Sequence, residues 1–279
     1  MSADTATRYV FDRTQTDHER LVRQARRQDV FAREALARAG LGAGGRAIDV
    51  GCGPRGALPV LAEAVGPSGV VVGLDAGAAS LAHARRELDG LGLPGVHLVQ
   101  ADLTTVGPAD LAPHGPFDLA YCRLVLMYQR DPAAALCRIA ALLRPGGRIV
   151  AVDHLPDTNY PLFDPPVPAT KQLWAWFSAA ADRGGRRHDP VALHYADLCA
   201  EAGLRLREQR GWLAIAEEAA TMLAHYRDIL LSMRDSLVTL EVASEADIDA
   251  LAQEMEVALP VVRFGTATIN IEMIAQVPA

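Results

Sequence analysis

Residues 47–56 read Ala47-Ile48-Asp49-Val50-Gly51-Cys52-Gly53-Pro54-Arg55-Gly56, and this order decides the fold. Ala47, Ile48 and Val50 form a short apolar run of the kind that makes a buried strand. Gly51, Gly53 and Gly56 follow where the backbone must turn tightly and admit a close neighbour. Residues 57–65 then read as a helix and 69–74 as a second strand ending at Asp75. Strand, glycine turn, helix, strand, acid is the layout of a nucleoside site. The turn admits the ligand's polar tail, and the acid accepts hydrogen bonds from both ribose hydroxyls.

Two ligand classes fit this stretch. The glycines satisfy the dinucleotide fingerprint with an acid about twenty residues on, as a nicotinamide or flavin enzyme requires. Asp49 argues the other way, because a charge two residues before Gly51 opposes a pyrophosphate and suits the ammonium of an amino-acid tail. Further along stand Gln100-Ala101-Asp102, Phe117-Asp118-Leu119 and Leu143-Arg144-Pro145-Gly146-Gly147-Arg148. With residues 48–53 and Asp75, in order and spacing, these resemble the class I S-adenosylmethionine-dependent methyltransferases, firmly over 45–153 and loosely outside it. The resemblance implies S-adenosylmethionine as cofactor, held by Asp49, Gly51, Cys52, Gly53, Asp75, Ala76, Asp102, Leu103 and Arg123. Asp102 suits the adenine amino group as an acceptor. A turn or cap is the competing role for an acid after a strand.

Strands over 95–100, 116–122 and 148–152 alternate with helices over 77–90 and from Asp131 to Leu143. That alternation predicts an α/β fold with a doubly wound parallel sheet. The resemblance makes it seven-stranded and mostly parallel, with the last strand, over 266–277, antiparallel. Ligands of such sheets lie beyond the carboxyl ends of the strands, which places Asp49, Asp75, Asp102, Arg123, Asp153 and His154 on one edge. One domain over 1–279 is expected, with a helical cap over 1–40, a cofactor-binding core over 41–154, a lid over 155–189 and a helical insertion over 211–260. The lid carries prolines 156, 161, 165, 166 and 168 and an aromatic helix over 171–182. On that helix Trp174 and Phe177, three apart, share a face, and Trp176 points elsewhere. Residues 190–202 read as a helix and 204–209 as a strand. Residues 217–237 are amphipathic, with Met222, Leu223, Tyr226, Leu230 and Met233 on one stripe, and Ser244 with Asp247 opens another helix to Leu259. This inserted pair is either a cap or a dimer surface.

Composition narrows the partners. The net charge of -7 disfavours duplex nucleic acid. The arginines between Arg20 and Arg38 are interrupted by Asp29 and Glu34 and read as a solvated helix face. Lys171 is the single lysine, and with abundant alanine it points to high-GC coding and a bacterial source. Cys52, Cys122, Cys137 and Cys199 have neither paired nor metal-ligand spacing, as expected of buried thiols in a reducing cytosol. No run approaches the roughly 18 apolar residues of a membrane span, and no signal-peptide layout opens the chain. A cytoplasmic protein is expected.

Methyl transfer from a sulfonium is an in-line displacement whose leaving group departs neutral, so no general acid is needed and a base is optional. His154, just past the fifth strand, is the candidate base, with capping of the strand exit as its competing role. Tyr128 stands where related sequences often carry histidine and could orient a polar acceptor. Tyr9, Trp174 and Phe177 are the candidate substrate contacts, and packing alone would also explain the last two. An aromatic lid points to a small, largely apolar acceptor such as a polyketide, terpenoid or aromatic metabolite. A fold relative that keeps the cofactor without methylating, as a cyclase or structurally, is the alternative. A nicotinamide oxidoreductase is a distant third.

Overall fold

A computed structural model describes residues 15–155, 161–184 and 190–279. Tyr9 lies outside these. The chain divides into two compact units. One comprises Leu21–Asp153, Val191–Arg210 and Ile271–Ala279; the other comprises the described parts of Met1–Arg20, His154–Pro190 and Gly211–Asn270.

In the first unit, β1 (Arg46–Val50) pairs in parallel with β2 (Val70–Asp75) on one side and β4 (Phe117–Arg123) on the other. Parallel pairing continues outward to β3 (His97–Gln100) beyond β2 and to β5 (Leu143–His154) beyond β4. Ala47, Ile48, Val50, Val72 and Leu74 are buried, as expected of strands covered on both faces. The connections are α2 (Leu58–Val65), α3 (Ala78–Gly90) and α4 (Pro132–Ala141), preceded by α1 (Gln15–Arg38). Asp131 caps α4 by accepting from the Ala134 N–H, with Pro132 in the first turn where its missing donor costs nothing.

The full sheet has eight strands in the order β3-β2-β1-β4-β5-β8-β6, with β7 (Arg205–Ile215) paired to β8 (Phe264–Gln276). The expected seven strands are therefore one short. The addition is β6 (Phe163–Asp164), antiparallel to the start of β8 inside the proline-rich connection. Two residues carry no periodicity, so it left no trace in the sequence. Phe163 is held because Gly265 stands opposite: a Cβ there would lie 2.7 Å from the Phe163 ring. β5 also begins earlier than expected, because the Pro-Gly-Gly run that stops a helix is accommodated by a register shift between Phe117 and Leu119.

In the second unit, α5 (Pro168–Arg183) packs with α7 (Ala219–Ser232), α8 (Arg234–Thr239) and α9 (Glu245–Ala258). The stretch read as one helix over 217–237 breaks after Ser232, yet Met222, Leu223, Tyr226, Leu230 and Met233 are all buried. Ser244 and Asp247 form the expected capping box at the start of α9. Residues 190–202 resolve into a short turn over Val191–Leu193 and α6 (Tyr195–Glu201).

The arginines of α1 are engaged within the chain. Arg26 pairs with Glu87 at 3.0 Å, Arg33 with Glu63 at 2.9 Å and Arg38 with Glu208 at 2.8 Å and with Glu272. Asp29 receives a two-pronged contact from Arg55 at 2.9 and 2.7 Å. Among the described residues no helix is long and apolar enough to cross a membrane.

Candidate active site

The carboxyl ends of the parallel strands gather the expected side chains. Asp49 is the penultimate residue of β1, Asp75 the last of β2, Arg123 the last of β4 and Asp153 the penultimate of β5, with Asp102 two residues past β3. The glycine turn itself is closed by its own hydrogen bonds. The Gly51 and Cys52 N–H groups both donate to the Leu74 carbonyl, at 2.7 and 3.0 Å. The Gly53 N–H donates to Asp75 Oδ2 at 2.8 Å, and the Gly77 N–H to Asp75 Oδ1 at 2.8 Å. Asp75 therefore ties the turn after β1 to the turn after β2, with further lone pairs left to accept.

Three glycines make the shape possible. Gly51, Gly53 and Gly56 have φ of +70°, +57° and +54°, the left-handed region where L side chains are strained. A Cβ on Gly51 would lie 2.6 Å from the Val125 side chain, and one on Gly56 would lie 2.2 Å from Asp49 Oδ2. A Cβ on Gly53 would meet nothing within 4 Å, so this face of the turn is open to a ligand's approach. Cys52 is turned inward: a Cβ on Gly73 would come 3.0 Å from its sulfur. Burial pushes its thiol well above the ordinary range.

Asp49 is buried, and its Oδ2 accepts from the Ala57 N–H at 2.6 Å, closing the start of α2. Burial raises its pKa to about 7, against the lowering influence of the Ala57 hydrogen bond and Arg123. Asp153 is likewise raised to about 7 by burial, while hydrogen bonds from Tyr195 and the 125–127 backbone oppose the shift. Its Oδ2 accepts from the Tyr195 hydroxyl at 2.8 Å and its Oδ1 from the Met127 N–H at 3.3 Å. Tyr195 was not singled out from sequence; 42 residues separate it from Asp153, and no local pattern marks the pairing. Through this pair α6 anchors the turn that follows β4, whose Val125 abuts Gly51.

Asp102 is exposed, and its Oδ1 accepts from both the N–H and the hydroxyl of Thr104 at 2.8 Å. The turn role thus has a direct observation, and Oδ2 stays available to a base. Leu103 beside it is buried and Ala76 exposed. Tyr128 closes a short turn over Leu126–Tyr128 and is half-buried.

In the second unit His154, the last residue of β5, is buried beside Trp174, ring centroids 5.5 Å apart and edge-on, and Phe177 at 6.4 Å. Trp174 and Phe177 stack edge-on at 5.3 Å, and Tyr226 stands 6.3 Å from Trp174. The expected shared face of the aromatic helix exists; Trp176 is half-buried elsewhere. Both candidate contacts are buried in this cluster, so packing accounts for much of their environment.

These residues fit a zwitterionic nucleoside: an open glycine face, carboxylates at two neighbouring strand ends and a guanidinium at a third. A family described as a methyltransferase domain matches residues 22–209. The chain belongs to that family. Its methyl donor is S-adenosylmethionine. Over 179 residues the methyltransferase chain is 37% identical to the trans-aconitate 2-methyltransferase of Methylobacterium radiotolerans, 61% of this chain and 62% of that protein. Over 106 residues it is 36% identical to aklanonic acid methyltransferase DauC of a Streptomyces species, 38% and 46% of the two chains. It thus covers less than two thirds of either relative. Among solved structures, the [4+2]-cyclase SpnF superposes with a TM-score of 0.53 at 18% identity, over 90% of this chain and 82% of that one. At that identity the likeness is one of fold.

The two raised carboxyls make stability depend on pH. Between the ordinary carboxyl range and about 7, the folded protein holds protons at Asp49 and Asp153 that the unfolded chain has lost. The folded state then binds more protons, so stability is greatest at acid pH and falls as pH rises to about 7. We expect the ligand-free melting temperature to fall between pH 5 and 7.5 by more than that of Asp153→Asn, read by calorimetry. Equal slopes would show that Asp153 is already ionised.

Proposed function

We propose that this chain transfers the methyl group of S-adenosylmethionine to oxygen or carbon of a small, largely apolar metabolite. The observation that carries the proposal is the closed glycine turn. Gly51, Cys52, Gly53 and Ala57 donate their N–H groups within the protein, to Leu74, Asp75 and Asp49. A pyrophosphate needs such donors turned toward it. What remains for a ligand is side-chain charge of both signs, Asp75 and Arg123, with Asp49 as a carboxyl that a neighbouring ammonium would draw to its ionised form, which suits an amino acid joined to a nucleoside. The bound cofactor supplies the electrophilic methyl group. Asp75 accepts from the ribose while holding the turn, and Asp102 accepts from the adenine amino group through its remaining oxygen. In this proposal His154 removes a proton from the acceptor where it has one to lose, and Tyr128 orients it.

The two curated relatives bear the names of acids, trans-aconitate and aklanonic acid, which makes an acidic metabolite the first class to try. Incubation with methyl-labelled S-adenosylmethionine and each acid, followed by chromatography, tests transfer directly. Labelled product is the expected result. Cofactor binding with no label transferred to these or to neutral aromatic acceptors would favour a non-methylating use, as in a cyclase. Binding of NAD in place of S-adenosylhomocysteine would favour the oxidoreductase.

Trp174 and Phe177 give a narrower expectation. Replacing each by leucine removes ring area from a buried cluster and is expected to cost about 1–3 kcal/mol of stability. If they also line the acceptor site, KM for the acceptor rises at least fivefold while S-adenosylhomocysteine affinity stays unchanged. Unaltered KM on folded variant would assign the pair to packing alone.

A further inference from the structure

Leu124 follows β4 with a φ of +55°, one of two residues other than glycine that take the left-handed region among those described. A bulky side chain is strained there, and such a backbone persists only where its surroundings fix it. Val50 of β1 pairs with Cys122 of β4, so the two strands leave the sheet side by side. One leaves through Gly51, at φ +70°, and the other bends at Leu124. The second bend carries Val125 against the first, where a Cβ on Gly51 would lie 2.6 Å from the Val125 side chain. The strained bend therefore walls the glycine turn.

Two contacts from the end of β5 hold it. The Leu124 N–H donates to the Val152 carbonyl at 2.7 Å, which continues the β4–β5 ladder and needs no particular side chain. The Met127 N–H donates to Asp153 Oδ1 at 3.3 Å, and this contact does depend on a side chain. That carboxyl is fixed in turn by the Tyr195 hydroxyl of α6, which donates to Oδ2 at 2.8 Å. Asp153 and Tyr195 are both buried. A buried carboxyl stabilises a fold less readily than apolar residues of the same size, so packing gives no reason for the pair. Holding the bend does.

We propose that Asp153 and Tyr195 are positioning residues for the cofactor: they hold the strained Leu124 bend against the glycine turn and so set cofactor affinity without touching the cofactor. The proposal rests on the cofactor given above and adds a device outside the site that keeps it in shape.

Calorimetric titration of the full chain with S-adenosylhomocysteine tests this in the parent, Tyr195→Phe, Leu124→Asn and the double variant. Tyr195→Phe deletes one hydroxyl and is expected to raise the dissociation constant about five- to tenfold, the loss of one hydrogen bond to a charged group. Leu124→Asn places a residue that tolerates the left-handed region at the bend, and its affinity is expected to stay within about twofold of the parent. In the double variant the asparagine is expected to bring affinity back to within about threefold of the parent, because an unstrained bend needs no holding. A purely structural role for Tyr195 would lower the melting temperature without such a rescue of affinity. Should Tyr195→Phe fold in neither background, Asp153→Asn, which turns charge-assisted bonds into neutral ones, runs through the same cycle with an expected loss of about threefold. Parental affinity in the first variant of the cycle, or a loss that Leu124→Asn leaves in place, would overturn the proposal. A parent that does not bind S-adenosylhomocysteine would overturn the cofactor assignment and this proposal with it.

Discussion

Asp75→Ala is expected to raise the dissociation constant for S-adenosylhomocysteine by two orders of magnitude or more. Two losses combine. The carboxylate's bonds to ligand hydroxyls disappear, worth about 1.5–3 kcal/mol for charged hydrogen bonds. The Gly53 and Gly77 N–H groups also lose the acceptor that joins the two turns, at 2.8 Å each. About 3 kcal/mol in all corresponds to a little over a hundredfold in affinity. Asp75→Asn separates the two contributions: its amide oxygen can still accept from one N–H while the amide nitrogen faces a donor, so an intermediate loss is expected. Calorimetric affinity within threefold of the parent in the alanine variant would remove Asp75 from the site.

Gly56→Ala is the substitution expected to cost the fold most. At φ +54° the new Cβ would lie 2.2 Å from Asp49 Oδ2 and 2.8 Å from the Cys52 carbonyl oxygen. Left-handed backbone alone costs roughly 1–2 kcal/mol for an alanine. The clash adds displacement of Asp49, whose oxygen closes the start of α2 at the Ala57 N–H. A total of about 3 kcal/mol, or roughly 6–12 °C in melting temperature, is the expected loss. Gly92→Ala is the control: its φ is +72°, but its Cβ would meet nothing within 4 Å, so backbone strain acts without the clash. Equal melting temperatures for the two variants would show that Asp49 yields freely.

The arginine-rich stretch of α1 shows how context alters a compositional signal. Read from sequence as a solvated helix face, it proves to place several of its arginines against carboxylates of other elements. Arg26, Arg33 and Arg38 find them in α3, α2, β7 and β8. Exposed pairs of this kind contribute little stability each, typically below about 1 kcal/mol. They do offset part of the helix's positive charge within the chain.

The parallel core was readable from the chain itself, because a strand buried on both faces must be a short apolar run and a tight turn must be glycine. Both constraints act on neighbouring residues. Hence β1, β2 and β4, the turn at Gly51–Gly53 and the strand-end position of Asp75 follow from local order. Contacts between residues distant in sequence leave no such mark. Burial and its partner Tyr195, 42 residues on, set the state of Asp153, and Asp49 closes α2 only because Gly56 brings Ala57 back toward it. The strand Phe163–Asp164 pairs with a stretch of β8 about a hundred residues on, where Gly265 leaves room for the Phe163 ring. That the Gly51, Cys52 and Gly53 N–H groups are engaged within the protein is likewise a property of the folded chain, since it requires β2 to lie alongside β1.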